Sequence, residues 1–108
     1  MRDRLDFRKA LPVDAAARKA IPLQTGLFDY FPAALCAVAE LSHVGNDQHN
    51  PGESLHWSRD KSADHGDTLL RHQMQRGYID NDKIRHSTKV AWRALAQLQL
   101  ELEVARDE

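Results

Sequence analysis

Between residues 31 and 41, FPAALCAVAEL, apolar side chains fill nearly every position and Glu40 supplies the one charge. A helix that is apolar all round has no face to give to water, so this run reads as a buried helix. Pro32 stands near its first position and Gly45 just past its end, the preferred places for proline and glycine at helix termini. Upstream, VDAAARKAI reads as a short helix with Asp14 as N-cap and Pro22 closing it. Downstream, GNDQHNPGESLHWSRDK is rich in Gly, Asn, Asp and Pro, a loop of a length usually reserved for function or disorder. A further helix is expected from Ser62 as N-cap to about Arg76, ending at Gly77, and YIDND is a turn. The last helix is expected from about Asp82 to Arg106, with Ile84, Ala91, Leu95, Leu98 and Leu102 on one stripe at heptad-like spacing. No alternating strand pattern or internal repeat interrupts this sequence of helices. The expected class is all-α: residues 1–12 form a charged, flexible N-terminal arm ending at Pro12, and residues 13–106 a single all-α domain.

Composition narrows the picture only slightly. A chain of 108 residues, 42% hydrophobic and 29% charged, is that of one small folded domain. A helical subunit this short often completes its core by oligomerising. With 15 basic and 16 acidic residues the formal net charge is −1, which argues against bulk electrostatic capture of nucleic acid. The one cysteine, Cys36, excludes an intrachain disulfide framework and reads as a buried, inert thiol in its apolar run. No apolar run approaches the length of a membrane span, and the charged N-terminus MRDRLDFRKALP lacks the apolar segment of a signal peptide. The expected protein is soluble and intracellular.

The stretch KSADHGDTLLRH places Asp64 and Asp67 three residues apart, on one helix face with Arg71. Asp67 also shares a stripe with Ala63, Leu70 and Met74, where a carboxylate must be paired, protonated or bound to a cation. Glu40 stands in the same position among Cys36, Ala37 and Val44. Two readings follow: structural ion pairing, with Asp67 meeting Arg71, or a site for Mg²⁺ or Mn²⁺, which prefer oxygen ligands.

These same residues carry a resemblance. DHGD followed by TLL resembles the second motif, E-x-G-D-x-L, of the MazG-like all-α nucleoside triphosphate pyrophosphohydrolases. That superfamily is marked by E-x-x-E and then E-x-x-D. Glu40 matches the second Glu of the first motif, and Asp64 and Asp67 match the pair of the second. Position 37, where the first Glu would stand, is Ala. From about residue 11 to 104, IPLQTGLFDYFPAALCAVAELSHVGNDQHNPG, LHWSRDKSADHGD, RHQMQRG and RHSTKVAWRALAQLQLELE together resemble a phage and prophage family of dATP/dGTP diphosphohydrolases. The resemblance implies a MazG-like helical bundle completed by oligomerisation, as a homodimer or homotetramer. It also implies conversion of a purine deoxynucleoside triphosphate to monophosphate and pyrophosphate, in the cytoplasm (the host's, if phage-encoded). Glu40, Asp64 and Asp67 would be its catalytic metal ligands for Mg²⁺ or Mn²⁺.

A triphosphate also requires cations. Lys61 and Arg71 flank the carboxylate pair, and His86, Lys89 and Arg93 share one face of the last helix. Lys61 and Lys89 are the expected phosphate contacts, with Arg71 orienting the acids; each is otherwise an ordinary solvated charge. In the long loop, Trp57 is placed to stack on a purine or to anchor the loop, and Asn46, His49 and Asn50 to read sugar or base. Trp92 reads as packing. Two rivals stand beside this expectation. An HD-type triphosphohydrolase would use some of the six His residues, but the chain holds Asp64–His65 and no His-Asp dipeptide. A non-enzymatic helical adaptor would use the stripe of the last helix for assembly.

Overall fold

The computed structural model describes residues 9–107, so most of the expected arm, residues 1–8, lies outside the described residues. The chain divides into two compact units, Met1–Pro32 and Ala33–Glu108. In the first, α1 (Ala15–Lys19) begins where Asp14 accepts a hydrogen bond from the Ala17 amide at 2.9 Å. That is the expected N-cap, satisfying one of the amides a helix start leaves open. Pro22 lies just beyond, and a single π-helical turn follows at Gln24–Phe28.

The second unit is built on three helices: α2 (Pro32–His49), α3 (His65–Met74) and α4 (His86–Asp107). Among the described residues there is no strand, only one isolated bridge between Ile79 and Arg85, so the all-α class holds. α3 packs against α4. α2 is tied to α4 by the Trp92 indole, which donates to Ser42 Oγ at 2.9 Å.

Three boundaries differ from expectation. α2 does not stop at Gly45 but continues one turn to His49. Its stop is the Asn50-Pro51-Gly52 sequence, where proline disfavours helix in the residue before it and Gly52 turns at φ 80°. Ser62 is not the cap of α3: the helix starts at His65, and the Ser62 hydroxyl donates to Asp64 Oδ1 at 2.9 Å. α4 begins at His86 rather than Asp82, because the Asp82 carboxylate accepts from the Ile84 amide at 3.1 Å and closes a turn instead.

The interior of the second unit is more polar than the pattern promised. Ile84 and Ala96 are its buried apolar residues, beside buried Asn46, Asn50, His65, Thr68, His86 and Glu103. Of the expected α4 stripe, Leu95, Leu98 and Leu102 are 53%, 50% and 51% exposed. The all-apolar run of α2 is not enclosed either: Asn46 is the buried residue of that helix, and Cys36 is exposed.

Candidate functional site

The last turn of α2 and the loop after it are organised around the buried Asn46 side chain. Asn46 Nδ2 donates to the Glu53 carbonyl at 3.0 Å, while its Oδ1 accepts from Asn50 Nδ2 at 3.2 Å and from the His56 amide at 3.4 Å. Lys61, in the short 3₁₀ turn Arg59–Lys61, reaches back to Asn50 Oδ1 at 3.3 Å and the His49 carbonyl at 3.4 Å. Farther along, Trp57 meets Trp92 edge-to-face at 5.7 Å between centroids, and the Arg59 guanidinium lies 4.2 Å over the Trp57 ring. Arg59 then bonds both oxygens of Glu103 at 2.9 Å, a nearly buried ion pair that fastens the loop to the end of α4.

This framework encloses a cleft of about 640 Å³, a size that suits a small ligand. Six of the expected ligand contacts line it: Asn46, His49, Asn50, Trp57, Lys61 and Lys89. Gly45, His65, Trp92 and Arg93 line it as well. The Arg93 guanidinium donates to Ser62 Oγ at 2.8 Å and stands 3.1 Å from His65 Nδ1, with no carboxylate partner among the described residues. Burial, and then the Arg93 charge, hold the His65 pKa below its ordinary value, so this imidazole is neutral and Nδ1 is its acceptor. His65 Nε2 is buried without a hydrogen-bond partner.

The cations divide unequally. Lys89 is bound by Asp80 at 2.8 Å and Asp82 at 2.7 Å. Burial opposes its charge, but the two carboxylates outweigh burial and raise its pKa. The hydrogen bond from Lys89 in turn holds Asp80 at about 2 and Asp82 below the ordinary carboxylate value. Lys89 is therefore already neutralised, whereas Lys61 and Arg93 have no acidic partner among the described residues. Arg93 shares the α4 face with Lys89, so helical spacing pointed at it; what spacing does not show is that Lys89 alone is engaged by the acids of the preceding turn.

Glu40, Asp64, Asp67 and Arg71 stand apart from this lining, and all four are exposed. Arg71 lies 3.7 Å from Asp64 and donates to Thr68 Oγ1 at 2.9 Å. It therefore meets Asp64 rather than Asp67. The Ser62 hydroxyl is the main cause of the lowered Asp64 pKa, with Thr68 and Arg71 adding to it. Within one chain these three carboxylates do not gather into a metal shell. The group of described residues that does is His72, Asp80 and His86, whose ligand atoms all lie within 4.8 Å of one another. His72 and His86 come from different helices, so no spacing rule joins them in the sequence.

No protein-family model, no curated protein and no solved structure matches this chain.

Proposed function

We propose that this chain binds a purine deoxynucleoside triphosphate in the cleft between α2, the 50–64 loop and α4, and hydrolyses it to the monophosphate and pyrophosphate. The observation that carries the reading is the convergence of polar, aromatic and cationic side chains from separate parts of the chain on one cleft of nucleotide size. Lys61 and Arg93 are the cations available to phosphate oxygens. Trp57 and Trp92 supply the aromatic wall, although Trp57 already spends one edge on Trp92 and one face on Arg59. Asn46 shapes the wall with an amide already committed to the loop, leaving Gln48 and His49 as the exposed polar groups that line the cleft at the end of α2. The preference for dATP or dGTP comes from the sequence resemblance alone.

The reading includes dependence on Mg²⁺ or Mn²⁺ and assembly into a homodimer or homotetramer with a MazG-like bundle. Half-exposed Leu95, Leu98 and Leu102 and the open apolar run of α2 support assembly, since a second copy would bury them. In one chain Glu40, Asp64 and Asp67 do not fit a shared ion, so the metal requirement rests on the sequence resemblance.

Product analysis with eight ribo- and deoxynucleoside triphosphates, in Mg²⁺ and then in chelator, tests the reading. Metal-dependent release of monophosphate and pyrophosphate, abolished by Asp67→Asn, is the expected result. Release of intact triphosphate would instead indicate an HD-type reaction. No turnover by folded protein would leave the adaptor.

A further inference from the structure

The turn that joins α3 to α4 brings together three side chains that the nucleotide reading does not use. His72 lies near the end of α3, Asp80 in the turn and His86 at the start of α4. His72 Nδ1 and His86 Nδ1 face each other at 2.8 Å, and His86 Nδ1 lies 3.9 Å from Asp80 Oδ2. Two donors on a tetrahedral ion at ~2.1 Å are ~3.4 Å apart. The hydrogen-bonded imidazole pair at 2.8 Å and the His86–Asp80 pair at 3.9 Å bracket that separation, so an ion would replace the proton shared by the imidazoles with shifts of about half an ångström. His86 is buried, and both His72 and Asp80 are partly so, which spares them most of the cost of ordering long exposed chains.

We propose that His72, Asp80 and His86 form a binding site for a divalent first-row transition ion such as Zn²⁺ or Co²⁺, separate from the Glu40, Asp64 and Asp67 carboxylates. Two imidazole nitrogens with one carboxylate favour such ions over Mg²⁺, which prefers oxygen throughout. The set leaves coordination positions open, as in ligand-binding rather than purely structural sites. Burial, and then the nearby Lys89 and His86, hold His72 below the ordinary pKa, so it is the neutral imidazole that a metal needs. Asp80 is held in place for the role: its Oδ1 accepts from the Asn81 amide at 2.7 Å, and Lys89 fixes Oδ2. An ion on Oδ2 competes with Lys89, which retains Asp82 at 2.7 Å. The site borders the cleft, because His72, Asp82 and Lys89 line it.

The test uses the full chain, stripped with chelator and free of nucleotide. It is titrated with ZnCl₂ by calorimetry and with CoCl₂ by visible absorption. The expected result is saturable binding with a cobalt spectrum showing nitrogen ligation, weakened about tenfold or more in His72→Gln and in Asp80→Asn and unchanged in Glu101→Gln, an exposed carboxylate outside the site. His86→Gln alters a buried residue, so circular dichroism accompanies it; His72→Gln, at the partly exposed edge, decides the matter if that variant unfolds. Absence of saturable binding by folded wild-type protein at millimolar ion, or binding that His72→Gln and Asp80→Asn leave intact, would overturn the proposal. Because no nucleotide is present, either outcome is independent of the hydrolase reading.

Discussion

Gly45 sits inside a helix, where glycine is about 1 kcal/mol worse than alanine. A Cβ built there meets nothing within 4 Å, so packing against the protein does not explain the choice. It lines the cleft, however, where the missing side chain leaves room for a ligand to approach the backbone. Gly45→Ala is thus expected to raise the stability of the free protein by about 1 kcal/mol in denaturant melts, while weakening nucleotide binding. Weaker binding without the stability gain would place the residue's role elsewhere. Residues also set the pH response. His65 and His72 are held below their ordinary 6.5, so the folded state favours their neutral forms and stability falls as pH drops below 6.5. Asp80, held at about 2 against 3.8, adds stability that is present above 3.8 and lost as pH falls toward 2. A two-stage decline in melting temperature, measured in chelator, is the expected outcome; a flat profile from pH 7 to 5 would contradict the histidine assignment. At this scale the sequence was informative for polar residues that line the cleft and silent on their hydrogen-bond partners. Asn46 and Lys61 were visible as cleft candidates, but the commitment of Lys89 to Asp80 and Asp82 depends on a turn that spacing alone does not define.

Among the elements, legibility followed how local each signal was. Asp14 and Pro32 act on the first turn of their own helices, and both stand where the pattern put them. Ser62 and Asp82 misled because each side chain bonds outside the expected helix turn, and Gly45 because the helix runs on through it. Gly45 is tolerated inside the helix, Ser62 bonds Asp64, and Asp82 closes the turn before α4. The polar 50–64 segment was recognisable as special, but what secures it was not, since Arg59 and Glu103 are 44 residues apart. Removing one member of such a buried pair leaves the other charge without compensation. Glu103→Ala is expected to cost about 3 kcal/mol in denaturant unfolding and to raise amide exchange across the loop. Unchanged exchange there would show that Trp57 on Trp92 holds the loop without the ion pair.

For the molecule as a whole, the exposed stripe of α4 is the feature that a single chain leaves unresolved energetically. Apolar side chains at Leu95, Leu98 and Leu102 would gain by burial against a second copy, the assembly proposed above. Leu98→Glu is expected to shift the light-scattering mass to that of one chain; a wild-type protein already monomeric at high concentration would contradict the assembly. The helical class was legible from periodicity, whereas the polarity of the interior was not, because His65 and Glu103 are held by Arg93 and Arg59, 28 and 44 residues away. Both tryptophans of the chain line the cleft, so their emission reports directly on its occupancy. The decisive measurement is therefore a tryptophan-fluorescence titration with dGTP and dATP, in Mg²⁺ and in chelator, on wild type and on Lys61→Ala. A saturable change, weakened about tenfold by loss of the lysine, is what a nucleotide in this cleft predicts. Emission that stays constant to millimolar nucleotide would contradict it.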